Sequence, residues 1–113
     1  MKKRNPRRYE RKELDLEARI TSGTNNYIGF IKNVSECGAN IKTTVTDTVE
    51  DFIPGKRLQL EFIIPSGETI IIFPCEIVWL YTKRIRPYGL LNSFGLEISY
   101  PPLEYTEFIK AIH

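Results

Sequence analysis

The chain has 113 residues, of which 42% are hydrophobic and 27% charged, with a formal net charge of +2, the make-up of one ordinary globular domain with a modest core. It has no apolar run near the roughly 20 residues of a membrane-spanning helix and no apolar signal stretch at its N-terminus, so the expected location is the cytoplasm. Its one histidine is the terminal His113, and Cys37 and Cys75 lack metal-ligand spacing, so a metal centre, a disulfide scaffold and histidine-based catalysis are all disfavoured and no enzyme is expected.

The small net charge conceals an uneven distribution. Residues 1–13 hold seven Lys/Arg against two Glu, whereas the remaining hundred hold nine Lys/Arg against twelve Asp/Glu. A basic character confined to one end favours a compact anionic ligand over a long polyanion. Residues 1–13 are read as a flexible basic leader and residues 14–113 as the folded domain, with Pro6 biasing Asn5 away from helix. The leader contains Arg7-Arg8-Tyr9-Glu10-Arg11. Arg7 and Arg11 fall on one side whether the segment is helical or extended, so both can converge on one ligand.

From Leu14 the pattern becomes Leu14, Leu16, Ala18, Ile20 with charged residues between, the alternation of a half-buried strand. Residues 21–26 have turn composition, and Tyr27 to Asn33 forms a second strand. The segment Asn33-Val34-Ser35-Glu36-Cys37-Gly38 then reads as a strand ending in a tight turn. In it Asn33 and Ser35 supply short polar groups, and Gly38 permits positive φ or close backbone approach. Residues 39–43 give a short third strand, and residues 44–56 a linker with no evident chemistry that ends in Pro54-Gly55.

Arg57 to Ile64 alternates again, and after the turn at residues 65–68 a long β-branched run extends from Thr69 to Tyr81. Pro74 inside that run implies a bulge or an edge position. Lys83-Arg84-Ile85-Arg86 is expected in the following loop, as a charged hairpin tip, a second phosphate contact or a partner-docking loop. Tyr88 to Tyr100 closes the sheet, with Phe94, Leu96, Ile98 and Tyr100 inward. Beyond Pro101-Pro102, Leu103, Tyr105, Phe108, Ile109 and Ile112 recur at helical spacing. About six regularly spaced strands imply an antiparallel barrel. Cys75 is read as a buried strand residue and Cys37 as a turn residue. Tyr9 and Trp79 are read as packing residues, and Trp79 is left out of the site.

The R-x-x-x-R leader (Arg7 to Arg11), the N-x-S-x-x-G turn (Asn33 to Gly38), Val78-Trp79 and Phe94-Gly95-Leu96-Glu97-Ile98 occur in an order and spacing that resemble the PilZ domains, which bind the bacterial second messenger cyclic di-GMP. Ile98 stands where Phe is more usual. The resemblance spans nearly the whole chain and implies an all-β, six-stranded antiparallel PilZ-type barrel with a short C-terminal helix. It further implies a cyclic di-GMP site formed by Arg7, Arg8, Arg11, Asn33, Ser35 and Gly38, with no metal and no other cofactor. Arginine suits such a ligand because its planar fork matches guanine O6 and N7, stacks on a purine and neutralises phosphate. Binding is expected to order the leader against the barrel and present a surface to a downstream protein controlling motility, exopolysaccharide or pilus output, in a monomer or homodimer. No DNA or RNA partner is expected. Two alternatives stand beside this reading: a small-barrel module for single-stranded nucleic acid, and a ligand-free PilZ interaction domain.

Overall fold

A computed structural model of the chain describes residues 11–45, 49–65, 67–87 and 89–112. Six antiparallel strands precede one short helix: β1 (Lys12–Ser22), β2 (Asn25–Ser35), β3 (Gly38–Val45), β4 (Arg57–Ile63), β5 (Ile70–Arg84), β6 (Leu90–Glu97) and α1 (Leu103–Ala111). They pair in the order β1-β2-β3-β6-β5-β4, and β4 pairs back onto β1, so the sheet closes into a barrel. Closure gives most backbone donors and acceptors a partner and suppresses the sheet edges along which chains aggregate.

The period-two pattern builds the interior. Ala18 and Ile20 of β1, Leu58, Leu60 and Phe62 of β4, and Phe94 and Leu96 of β6 are buried, while their neighbours Glu17, Arg19 and Gln59 face solvent. The β1–β2 loop is only Gly23–Thr24, and Gly23 at φ 63° supplies the left-handed residue that a two-residue hairpin loop needs. Pro74 occupies an edge-like position rather than a bulge. It pairs with Gln59 of β4, whereas β5 meets β6 only from Glu76 onward, so the missing N–H costs no ladder bond on the β6 side.

The two ends of the barrel are closed by different segments. At one end α1 inserts Tyr105, Phe108 and Ile109, and these rings meet Phe62 and Phe73, the Phe73–Tyr105 centroids lying 5.0 Å apart. At the other, residues 49–56 cross the barrel mouth. Phe52 packs between Tyr27 and Phe94, at 4.9 and 5.0 Å, and Asp51 accepts hydrogen bonds from Ser22, Asn25 and Tyr27. The linker therefore has a structural task that its composition did not reveal.

Three local expectations change. Lys83 and Arg84 belong to β5, paired with Leu91 and Leu90, because the β5–β6 register runs past the basic cluster. Only Ile85 and Arg86 of that cluster lie in the turn, which closes with the Ile85 N–H donating to the Gly89 carbonyl. Tyr100 is 89% exposed rather than inward. β6 ends at Glu97, and once Ile98 has donated its N–H to the Cys37 carbonyl the chain bends away toward Pro101, so alternation no longer governs. Leu103, at the first position of α1, is likewise exposed.

Candidate functional site

Two breaks in strand periodicity shape the outer wall. In β2, Ile31 pairs with Ile41 but Asn33 with Asn40, so Lys32 is an extra residue and both Lys32 and Asn33 face outward before Val34 turns in. In β5, Ile77 pairs with Leu96 but Trp79 with Gly95, so Val78 and Trp79 both face outward before Leu80 turns in. The registers place Asn33, Asn40, Gly95 and Trp79 in one row across β2, β3, β6 and β5. At an inter-strand spacing of about 4.8 Å that row is roughly 14 Å long, the scale of a dinucleotide.

Arg11, at the foot of β1, reaches this row. Its guanidinium Nη1 donates to Asn33 Oδ1 at 2.9 Å, across 22 residues of sequence. This uses one of the two lone pairs of Asn33 Oδ1 and orients the amide, whose Nδ2 is its donor side. Arg11 also overhangs Gly38: a Cβ on Gly38 would stand 3.8 Å from Arg11 Nη2 and 3.0 Å from the Leu96 carbonyl oxygen. Of the two roles open to Gly38, close approach is the one observed, since positive φ occurs only at Gly23, Gly55 and Gly89 among the described residues.

Ser35 and Gly38 face each other across the Glu36–Cys37 turn. Both are buried, and the Ser35 hydroxyl would lie 3.6 Å from a Cβ on Gly38. Tyr105 of α1 clamps this turn from inside, its hydroxyl donating to the Ser35 carbonyl at 2.7 Å and to the Gly38 carbonyl at 3.0 Å. Burial raises the Tyr105 pKa well above that of an ordinary phenol, against a smaller opposing effect of Arg11, so it remains a donor at any physiological pH. Lys12 ties the foot of β1 to the same end by donating to the Ile112 carbonyl at 2.8 Å.

Charge on the wall is divided. Arg11 stands at the β1–β2 side, whereas Glu97 lies opposite Gly38 and Glu76 beside Glu97, with Arg57 3.7 Å from Glu76. An anionic group is therefore favoured near Arg11 and opposed near the β5–β6 carboxylates. An apolar groove of about 450 Å³ beneath α1 is lined by Ile64, Pro65, Phe108 and Ile112 but bears Glu104 and Glu107, the wrong sign for a phosphate.

Of the expected site residues, Arg11, Asn33, Ser35 and Gly38 are brought together; Arg7 and Arg8 lie outside the described residues. Three neighbours were not anticipated. Trp79 is 42% exposed and lies over Gly95, where any Cβ would collide with its indole. Asn40 stands between Asn33 and Gly95, and its Oδ1 is buried without a hydrogen-bond partner. Tyr105 is concealed in a stripe that reads as core. The Val78-Trp79 pair, which carries part of the family resemblance, and an asparagine inside a strand, where that residue is depleted, were the available signals.

The rest of the molecule offers little competing chemistry. Burial pushes the Cys75 thiol up to about 12, which leaves it inert. No group of three or more metal-ligating side chains occurs among the described residues, and none of their helices is long and apolar enough to cross a membrane. A barrel with a filled interior and polar groups gathered on its outer wall has the form of a binding module. The PilZ domain model matches residues 5–111, and the chain belongs to the PilZ domain family, whose members serve as binding and regulatory domains.

Solved structures agree on the fold. The Bacillus subtilis inhibitor of motility (MotI/DgrA) superposes with a TM-score of 0.73 at 17% identity, covering 96% of this chain and 49% of that one. The chain thus spans about half the length of that relative. The PilZ domain of YcgR from Escherichia coli, solved with c-di-GMP, superposes with a TM-score of 0.74 at 10% identity, covering 94% of this chain and 87% of that one. No curated protein sequence matches the chain.

Proposed function

We propose that this domain is a cytoplasmic, non-enzymatic receptor for cyclic di-GMP. Arg7, Arg8 and Arg11 supply the cationic forks, and Asn33, Ser35 and Gly38 form the opposing corner. The observation that carries the reading is the 2.9 Å contact of Arg11 with Asn33, with the same guanidinium over Gly38. Two segments far apart in sequence thereby converge on one outer patch, as a single ligand bound by both requires.

The chemistry is complementary. The Arg11 fork presents donors to guanine O6 and N7 or to a phosphodiester, Asn33 Nδ2 adds a donor beside it, and the close approach at Gly38 lets the ligand rest on backbone. The exposed Trp79 indole offers a flat face at the far end of the row. The carboxylates of Glu97 and Glu76 hold the phosphates to the arginine side. Occupation holds Arg7 and Arg8 of the leader against the barrel beside Arg11 and creates a surface for a downstream protein partner, a ligand-driven switch.

The test is calorimetric titration with cyclic di-GMP, alongside GTP, cyclic GMP and a short oligonucleotide. The wild-type domain is expected to select the cyclic dinucleotide, and Arg11→Ala to weaken binding at least about tenfold, the value of one good arginine–guanine contact, with the free domain's melting temperature nearly unchanged. Absence of any response of the wild-type domain to the dinucleotide, or wild-type affinity in Arg11→Ala, overturns the assignment.

A further inference from the structure

Asn40 is the residue on the outer wall whose local energetics are unexplained by the fold. It is the third residue of β3, paired with Asn33 on one side and Gly95 on the other. Its carboxamide oxygen is the buried side-chain oxygen among the described residues that lacks a hydrogen-bond partner. Leaving such an atom dry destabilises the fold, and asparagine is itself a poor strand residue, so two local rules are broken at one position. Breaches of this kind gather at functional sites, where a ligand completes what the free protein leaves unmade.

The surroundings indicate what completes it. Toward β2 stands the Arg11–Asn33 pair, and toward β6 the side-chain-free Gly95 with the Trp79 indole lying over it. The arginine fork offers donors, which suit the acceptors O6 and N7 of guanine. It offers nothing to the opposite edge of the base, where N1–H and the exocyclic amine are donors and need an acceptor. The Asn40 amide oxygen is covered and unpartnered in the free domain, and it becomes such an acceptor when the side chains over it give way to the base.

Resting on the receptor reading above, we propose that Asn40 is a base-reading residue, its Oδ1 accepting from the exocyclic amine of a bound guanine. Asn40 thereby distinguishes guanine from purines that lack the amine. Its cost is borne by the free domain and recovered on binding.

The proposal is tested by a two-by-two comparison of wild type and Asn40→Val, each titrated calorimetrically with cyclic di-GMP and with its di-inosine analogue, which lacks only the exocyclic amines. Valine is close in size, prefers strands and needs no partner. Wild type is expected to bind the analogue about tenfold more weakly than cyclic di-GMP, the value of one hydrogen bond to a desolvated partner. Asn40→Val is expected to bind both equally, because an amine and an oxygen that touch give non-additive losses. The free variant should melt at the wild-type temperature or above it. Equal discrimination by wild type and variant overturns the role, as does a variant that melts lower and loses affinity for both ligands alike, which is a packing defect. A wild-type domain that binds neither ligand overturns the receptor reading itself, a result distinct from either.

Discussion

The two ends of the barrel are stoppered in the same physical way and connected to the outer wall in different ways. Each is filled by aromatic rings: Phe52 with Tyr27 and Phe94 at one end, Tyr105 and Phe108 with Phe62 and Phe73 at the other. The Phe52 end is latched by Asp51, which is held by Ser22, Asn25 and Tyr27 of the β1–β2 hairpin and by Lys56 of the linker itself. At the Tyr105 end the polar tip of the plug holds the carbonyls of Ser35 and Gly38. The plug at one end is anchored in the β1–β2 hairpin and, through Gly55 and Lys56, on the backbone of Ile77 in β5, while the plug at the other places a side-chain hydroxyl directly on the Ser35–Gly38 turn of the candidate site. A ligand that shifts the Ser35–Gly38 turn has a direct mechanical path to α1, and a partner sitting on α1 has the same path back.

Tyr105→Phe should break that asymmetry most strongly. It keeps the ring and removes the donor, leaving two inward carbonyls without it, so a loss of about 1–3 kcal/mol is expected. Urea denaturation checks it as a lower midpoint at unchanged slope, and affinity for cyclic di-GMP in the folded protein should fall severalfold. Stability loss with unchanged affinity would reduce α1 to a plain stopper.

Gly95→Ala sharpens the same comparison from the outer wall. The new Cβ collides with the indole of Trp79, the chain's single tryptophan. The expected results are a shifted tryptophan emission, a small change in stability and weaker ligand binding. Unchanged emission would mean that the ring does not rest on Gly95 in solution.

The smallest effect is expected at the other end. Hydrogen bonds from Tyr27 and then Ser22 hold the Asp51 carboxyl below the usual aspartate range. A depressed folded-state pKa contributes stability that is present above the unfolded value of about 3.9 and is lost as pH falls through the folded value. Asp51→Asn should therefore flatten the fall in stability below about pH 4 while leaving ligand affinity unchanged. A change in affinity would join the two ends after all.

The strands were legible because alternation is local: Leu14, Leu16, Ala18 and Ile20 declare an inward face without reference to any other segment. The motif residues were legible for a similar reason, since the short N-x-S-x-x-G run makes its own turn and the leader its own charge. Trp79 and Asn40 were not. Period two taken alone puts a residue after Ile77 outward and the next inward, and only the extra residue in β5 leaves Trp79 outside. Asn40 is locally no more than a poor strand residue, and its weight comes from what stands on either side of it. Tyr105 looks like any other core aromatic until its hydroxyl is found on the turn 67 and 70 residues earlier in the chain.

By itself, then, the sequence determined that there are six strands, most of their inward faces, the basic leader and the polar turn, because each is written in residues a few positions apart. Tertiary structure decided the row on the outer wall, the contact of Arg11 with Asn33, the dry oxygen of Asn40 and the hold of α1 on the site. Those depend on barrel closure, on two bulges meeting in register and on pairings between distant segments, and no run of neighbouring residues encodes such pairings.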